Sequence, residues 1–331
     1  MSKNKIGVAL VGCGSIGLKR VINFPNIFEL IGCFDIDKEK SLIFAQKFNT
    51  KQYLNYDLLL SMNEIKIVII ATPHKFLKEF AEKAISQNKH VFIEKPGSIS
   101  VEDINSLIKK SQKYKTIVRV GYNHRFHRSV LKAYELFKSD KIGKIMFLRA
   151  RYGHGGRLGY EKEWRANKKI SGGGELIDQG SHLIDLSMLF LGNLDVQNAV
   201  IKNYFWKMRV EDNVFITLKN KRGNIAFLNA SCTEWKNTFS FEIYGEKGKI
   251  HLEGLGGSYG VEKISLYKMK KDMRPPTTLI WEYPTIDNSW KIEMKEYAST
   301  ILLKRNKLNL NSDLHSSKRV LELIERIYQQ K

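Results

Sequence analysis

Apolar and polar positions come in alternating blocks along the first third of the chain. Ile6 to Val11, Phe28 to Phe34, Ile65 to Ala71, His90 to Ile93 and Thr116 to Val120 are short apolar runs suited to strands buried on both faces. Between them lie stretches with helical spacing. Lys38 to Phe48 places Leu42, Ile43, Ala45 and Phe48 on one side, and Phe76 to Ser86 and Val101 to Tyr114 repeat the pattern. Strand and helix in alternation predict a mostly parallel sheet with helices on both faces.

After Tyr122 the rhythm changes. His127 to Lys138 reads as a connecting helix, and extended segments dominate from Lys144 onward: Ile145 to Tyr152, Val196 to Phe205, Asp212 to Leu218, Asn224 to Ser231, Phe239 to Tyr244 and Lys263 to Tyr267. Gly245 to Gly248 has the composition of a hairpin turn between two of them. Asn288 to Leu303 and Ser316 to Tyr328 close the chain as amphipathic helices, with Trp290, Met294, Tyr297 and Ile301 assigned to the core. The pattern predicts an α/β Rossmann domain over residues 1–122. An α+β domain with an open, mostly antiparallel sheet follows over 123–331, and its last helices are free to pack back on the first domain.

Composition narrows the class. A chain of 331 residues with 43% hydrophobic content can fill two cores. It has no apolar stretch near the ~18 residues of a membrane span, and its first apolar run lacks a signal-peptide pattern, so a cytoplasmic protein is expected. Three cysteines without paired spacing indicate neither a disulfide framework nor a cysteine zinc site. The net charge of +21 is mostly Lys scattered along helical segments. It reads as a solvated surface, and no nucleic-acid-binding signature accompanies it.

The first apolar run stops at Gly12-Cys13-Gly14-Ser15-Ile16-Gly17 and a helix follows. In that context Gly12 makes the tight turn, Gly14 admits a pyrophosphate to the backbone, and Gly17 lets helix and strand pack closely. Asp35 ends the second strand, where an acid accepts hydrogen bonds from the adenosine ribose and repels a 2′-phosphate, so NAD is expected over NADP. Cys13 is read as a small packing residue. The carboxyl ends of the later strands should line the same crevice: Thr72, Pro73 and His74, then Glu94 and Lys95, then Tyr122 and Asn123.

A second constellation lies at Ser171 to Asp185, SGGGELIDQGSHLID. If a helix begins near Glu175, Asp178 and His182 are four positions apart on one face, a spacing open to a proton relay, a metal-ligating pair or a solvated face. Gly172, Gly173 and Gly174 leave the approach without side chains, as suits a backbone close to a ligand. Just before it, His154, Arg157, Tyr160 and Trp164 flank a glycine-rich loop and are candidate substrate contacts. Arg151, Arg157 and Arg165 would suit a phosphorylated or nucleotide-linked ligand. The loop Gly254 to Gly260 is a weaker candidate.

Together, Gly12-x-Gly14-x-x-Gly17, Glu94-Lys95-Pro96, Gly121-Tyr122-Asn123-x-Arg125-Phe126 and Gly174-x-x-x-Asp178-x-x-x-His182 resemble the glucose-fructose oxidoreductase, inositol dehydrogenase and rhizopine catabolism (Gfo/Idh/MocA) family. The resemblance implies a hydride transfer between a secondary hydroxyl of a sugar, sugar phosphate or nucleotide sugar and nicotinamide. It implies Lys95, Asp178 and His182 as the catalytic set and Tyr122 and Arg125 as substrate contacts. It also implies a second-domain sheet whose outer face makes an oligomer contact, hence a dimer or tetramer. Leu77 stands where many members carry a histidine, and His74 comes early. A nicotinamide-binding regulatory protein without catalysis is the alternative. A metal centre on Asp178, His182 and His154 is a third reading, and no metal is expected.

Overall fold

Val8 to Val11 have no exposed surface, and this is why the first apolar run becomes a central strand covered on both faces. The computed structural model describes residues 5–303, 308, 310 and 312–330. The first unit alternates β1 (Ile6–Val11), α1 (Ser15–Ile22), β2 (Phe28–Phe34), α2 (Lys38–Phe48), β3 (Lys51–Gln52), α3 (Tyr56–Leu60), β4 (Ile65–Ile70), α4 (His74–Ser86), β5 (His90–Glu94), α5 (Val101–Lys113) and β6 (Val118–Gly121). Their six strands are parallel in the order β3-β2-β1-β4-β5-β6, which reverses direction between β1 and β4. This is the doubly wound arrangement in which ligands bind outside the carboxyl ends of the strands at the reversal. Helix starts follow local chemistry: Asp37 accepts from Lys40 N at 3.1 Å and Ser100 from Asp103 N at 3.2 Å.

The second unit contains α6 (Arg128–Lys138), β7 (Ile145–Gly153), the short α7 (Lys168–Ser171), α8 (Ser181–Leu191), β8 (Asp195–Lys202), β9 (Asn213–Lys219), β10 (Ile225–Ser231), β11 (Thr238–Gly245), β12 (Gly248–Glu253), β13 (Glu262–Lys268) and β14 (Thr277–Tyr283). These eight strands form one sheet ordered β14-β13-β12-β11-β7-β10-β9-β8, antiparallel except for the β7–β10 pair. Along β7 the buried residues Leu148, Ala150 and Tyr152 face the core side, while Arg149 and Arg151 face the opposite side. α8 packs on β7 and β10. Phe215, Phe227 and Val200 remain exposed on the far face, where they line a cavity of about 600 Å³ together with Arg149, Arg151 and His251.

The chain closes with α9 (Ser289–Leu303) and α10 (Leu314–Gln329). The two compact units are Met1–Asn123 with Trp290–Lys318, and His124–Ser289 with Arg319–Lys331. Met294 and Tyr297 of α9 complete the core of the first sheet beside Val8, Leu10, Ile69 and Phe92. The pattern reading missed β12 and β14 and placed the partner of the Gly245–Gly248 turn too far along. β12 is the strand that pairs with β11 across that turn, and β14 is an edge strand whose residues are mostly exposed, so it carries no alternation to detect.

Candidate active site

The glycine turn after β1 has three glycines with different reasons for being there. A Cβ on Gly12, whose φ is +94°, would lie 2.5 Å from the Ala71 carbonyl oxygen, and one on Gly17 would lie 2.1 Å from the Gly12 oxygen. A Cβ on Gly14 would meet nothing within 4 Å. Packing therefore demands two of the glycines, and the third faces open space at the start of α1, where free backbone N–H groups favour a phosphate. Ser15 and Ile16 open that helix. Asp35 is held at the end of β2 by Cys13 N at 2.7 Å and Asp37 N at 3.0 Å. The residues present thus fit a dinucleotide: a cradle that stays open at Gly14 and a fixed acid beside it.

The strand ends are less uniform than expected. Thr72 and Pro73 are half-buried after β4, and His74 is buried at the first position of α4, with Leu77 fully buried one turn on. Glu94, expected beside the cofactor, also has a role in the framework. Arg20, fully buried between the rings of Phe92 and Trp290, donates to both Glu94 and Glu293, which ties one Glu94 oxygen into the unit. It fixes the end of β5, from which the half-buried Lys95 follows. Tyr122 has no exposed surface and Asn123 is buried. Arg125, expected to touch substrate, forms a buried two-pronged pair with Asp185, its Nε 2.7 Å from Oδ2.

In the second unit the stretch before α8 does not begin as an α-helix. Leu176 to Gly180 form a π-helical turn, with its wider i→i+5 bonding, and α8 starts at Ser181. Asp178 and His182 stand on either side of that changeover. His182 is buried and stacked on His124, with ring centroids 3.8 Å apart, and the edge of Tyr152 closes on it at 6.0 Å. Asp178 accepts from Arg165 Nε at 3.0 Å. Burial works against the Arg165 charge, but Asp178, Tyr160 and Glu163 together outweigh it and hold the guanidinium more firmly charged.

The glycine run before this turn serves packing, not a ligand. A Cβ on Gly173 would fall 1.8 Å from Tyr328 Oη, and one on Gly174 would fall 2.0 Å from the Glu211 carbonyl oxygen. Gly172 ends α7 in the left-handed conformation at φ +84°. The reading of these residues as a resting place for substrate gives way to close approach by α10 and by the chain entering β9.

Several expected substrate contacts are engaged elsewhere. Arg157 is exposed and pairs with Glu163 at 2.7 Å, and Arg165 lies 3.8 Å from the same acid besides its bond to Asp178. Trp164 stacks under Arg165 at 4.6 Å. Arg151 faces the outer side of the sheet, a consequence of strand parity. The His154 ring is mostly buried. Its Nδ1 accepts from Gly156 N at 2.9 Å, and its Nε2 lies 3.7 Å from Glu175 Oε1. Burial lowers the His154 pKa.

Sequence reasoning missed Glu175. It is 1% exposed and takes the Tyr160 hydroxyl at 2.9 Å. Burial first, then the charge of Asp178, push its carboxyl up to about 8, against the hydrogen bonds from Tyr160 and Cys232, while Glu211 adds to the rise. A raised folded-state value means that from pH ~5 to ~8 the folded protein holds a proton the unfolded chain has released. The stability this proton contributes is fully present below the unfolded value and is lost as pH rises through about 8. Denaturant unfolding at pH 5.5 and 8.5 should show lower stability at the higher pH, with a slope up to about 1.4 kcal/mol per pH unit from this site. Glu175→Gln should remove that contribution; an unchanged slope would contradict it. Tyr259 was also missed. The Gly254–Gly260 loop, rated weak as a ligand contact, delivers its ring to 5.5 Å from Tyr152, and burial raises its hydroxyl to about 12.

Among the described residues no group of three His, Cys, Asp or Glu side chains is placed to hold a metal, and no helix is long and apolar enough to cross a membrane. A doubly wound sheet with an open glycine cradle, joined in sequence to an open antiparallel sheet, defines an NAD-binding oxidoreductase. Residues 6–122 match the oxidoreductase family NAD-binding Rossmann fold, and residues 130–251 match the GFO/IDH/MocA C-terminal domain. The chain belongs to the Gfo/Idh/MocA family and is an NAD(P)-dependent oxidoreductase. It is 30% identical over 259 residues to glucose-6-phosphate 3-dehydrogenase of Bacillus subtilis, covering 73% of this chain and 72% of the relative. It is 27% identical over 265 residues to 2,7-anhydro-N-acetylneuraminate hydratase of Escherichia coli, covering 75% and 68%. In fold it is similar to levoglucosan dehydrogenase, solved with NADH and L-sorbose, at a TM-score of 0.85 and 18% identity over 99% of this chain and 98% of the other. Sugars are thus the common substrate class among the named dehydrogenase relatives.

Proposed function

We propose that the protein oxidises a secondary hydroxyl of a sugar, or reduces the corresponding ketone, with NAD as the redox partner. One observation carries the reading: His182 and Asp178 flank the π-to-α changeover, where β7, the 154–166 segment and the Gly254–Gly260 loop all send side chains. Held at the Gly14 cradle and Asp35, NAD would supply the acceptor for a hydride from the carbinol carbon. His182 takes the hydroxyl proton, since an alcohol is too weak an acid to lose it unaided near neutral pH. Asp178 orients that histidine and favours its protonated form. Lys95, the third member of the catalytic set, favours negative charge developing on the reacting oxygen. Asp35 sets the preference for NAD over NADP, because its carboxylate, already fixed by two backbone N–H groups, would oppose a 2′-phosphate.

Arg157 is paired with Glu163 of its own segment, Arg165 is held by Asp178 and lies near Glu163, and Arg151 faces away. This arrangement favours an uncharged sugar over a phosphorylated or nucleotide-linked one. The test is absorbance at the reduced-nicotinamide band with NAD or NADP and a panel of D-glucose, D-glucose 6-phosphate, levoglucosan, myo-inositol and UDP-N-acetylglucosamine. NAD-dependent turnover, best with an uncharged member, is the expected outcome. Silence towards every member despite measured NAD binding would sink the reading.

The outer sheet face carrying Phe215 and Phe227 is proposed to be covered by a second copy of the chain. Sedimentation at micromolar concentration should give a dimer or tetramer, and a monomer would contradict it.

A further inference from the structure

We propose that Glu175 is a positioning residue for this reaction, a buried carboxyl that clamps the segment carrying His154 and Tyr160 against the turn bearing Asp178 and His182. The inference rests on the sugar-oxidising reading above. The segment needs an anchor of this kind. It is built from two three-residue 3-10 turns, Tyr160–Lys162 and Trp164–Ala166, and has no strand of its own to hold it. At its start the backbone is tied to the sheet by His154 N to Ser231 O at 3.0 Å and Glu234 N to His154 O at 3.0 Å. Beyond that, Tyr160 packs on Trp206 at 5.5 Å, and Tyr160 and Arg165 reach for the two acids of the turn.

Those acids divide the work. Glu175 receives the Tyr160 hydroxyl at 2.9 Å and has His154 Nε2 at 3.7 Å, while Asp178 receives Arg165 at 3.0 Å. The Gly156 N–H donates to His154 Nδ1, so the proton of the neutral ring sits on Nε2, on the Glu175 side. The Tyr160 hydroxyl therefore bonds to the same Glu175 oxygen that the His154 Nε2 lies near at longer range. Without this acid, the Arg165–Asp178 bond would be the segment's remaining side-chain tie to the turn, borne by the same carboxylate that orients the catalytic histidine. An apolar side chain would fill the position at less desolvation cost, so the buried acid is accounted for by what it holds.

The clamp predicts effects on substrate capture rather than on the cofactor. Steady-state kinetics of the full-length protein would use whichever of D-glucose, D-glucose 6-phosphate, levoglucosan, myo-inositol or UDP-N-acetylglucosamine the wild type turns over fastest. Glu175→Leu should raise KM for that sugar about 10-fold or more and lower kcat by less, with NAD affinity unchanged. Tyr160→Phe loses only a hydroxyl and keeps the fold testable should Glu175→Leu fail to fold; it should raise KM in the same direction by about 3- to 10-fold. Glu175→Gln, which can still accept from Tyr160, should recover most of what Glu175→Leu loses. An unchanged KM in both Glu175→Leu and Tyr160→Phe, or a Gln variant as impaired as the Leu variant, would overturn the clamp. Wild-type silence towards all five compounds of that panel would overturn the sugar reading itself, and the clamp with it.

Discussion

His182→Ala should lower sugar-dependent reduction of NAD by about 10²- to 10⁴-fold, the span of a lost general base, with NAD affinity close to wild type. The size of the effect follows from position. His182 is buried, stacked on His124 at 3.8 Å, and flanked by Tyr152, so its ring is held in one orientation by aromatic neighbours. A base held this way needs no reorganisation to meet a hydroxyl proton. The same burial supplies a structural alternative, since removing the ring leaves a void under His124. Isothermal titration with NAD alongside the kinetics separates the two. Loss of turnover with cofactor binding intact assigns the residue to chemistry, whereas equal loss of both would make it a packing residue.

Gly174→Ala should destabilise the second unit by about 3 kcal/mol, at the upper end of what overpacking costs, because nothing near it can yield. The added Cβ would sit 2.0 Å from the Glu211 carbonyl oxygen and 2.9 Å from its nitrogen, both backbone atoms. The same backbone is tied to the turn by Glu175 N to Glu211 O at 3.1 Å, and the Glu211 side chain accepts from Gly174 N at 3.0 Å. Gly173→Ala meets instead the far end of a side chain, Tyr328 Oη at 1.8 Å. Shortening Tyr328 to Leu should therefore relieve Gly173→Ala and leave Gly174→Ala as damaging as before. Chemical denaturation of the four variants measures this, and equal rescue of both glycine substitutions would contradict the packing account.

Much of the first unit was legible because a parallel sheet buries each strand on both faces, so its strands appear as uninterrupted apolar runs. The glycine turn was legible as well, since only packing and an open cradle demand that spacing. The second unit was harder. Its strands bury one face, and a parity error of one residue moves a side chain across the sheet: Tyr152 lies beside His182 while its neighbour Arg151 lines the outer face. The π-helical turn at Leu176–Gly180 has no periodic signature, so a regular helix from Glu175 was the natural reading. The roles of Gly173 and Gly174 depend on Tyr328 and Glu211, partners far along the chain that local pattern cannot pair with them. Glu175 was overlooked because an acid in a polar stretch ordinarily signals a surface, and only the fold shows it buried against Tyr160.

The central claim is that a hydride leaves a carbinol carbon of a sugar for nicotinamide, with His182 removing the hydroxyl proton. A single turnover with stoichiometric NAD and the best sugar substrate deuterated at its secondary carbinol positions tests it most directly. One deuterium should appear in the reduced nicotinamide, read by mass spectrometry or proton NMR, and almost none with His182→Ala over the same time. Turnover of the sugar with no label in the nicotinamide at any stage would contradict it.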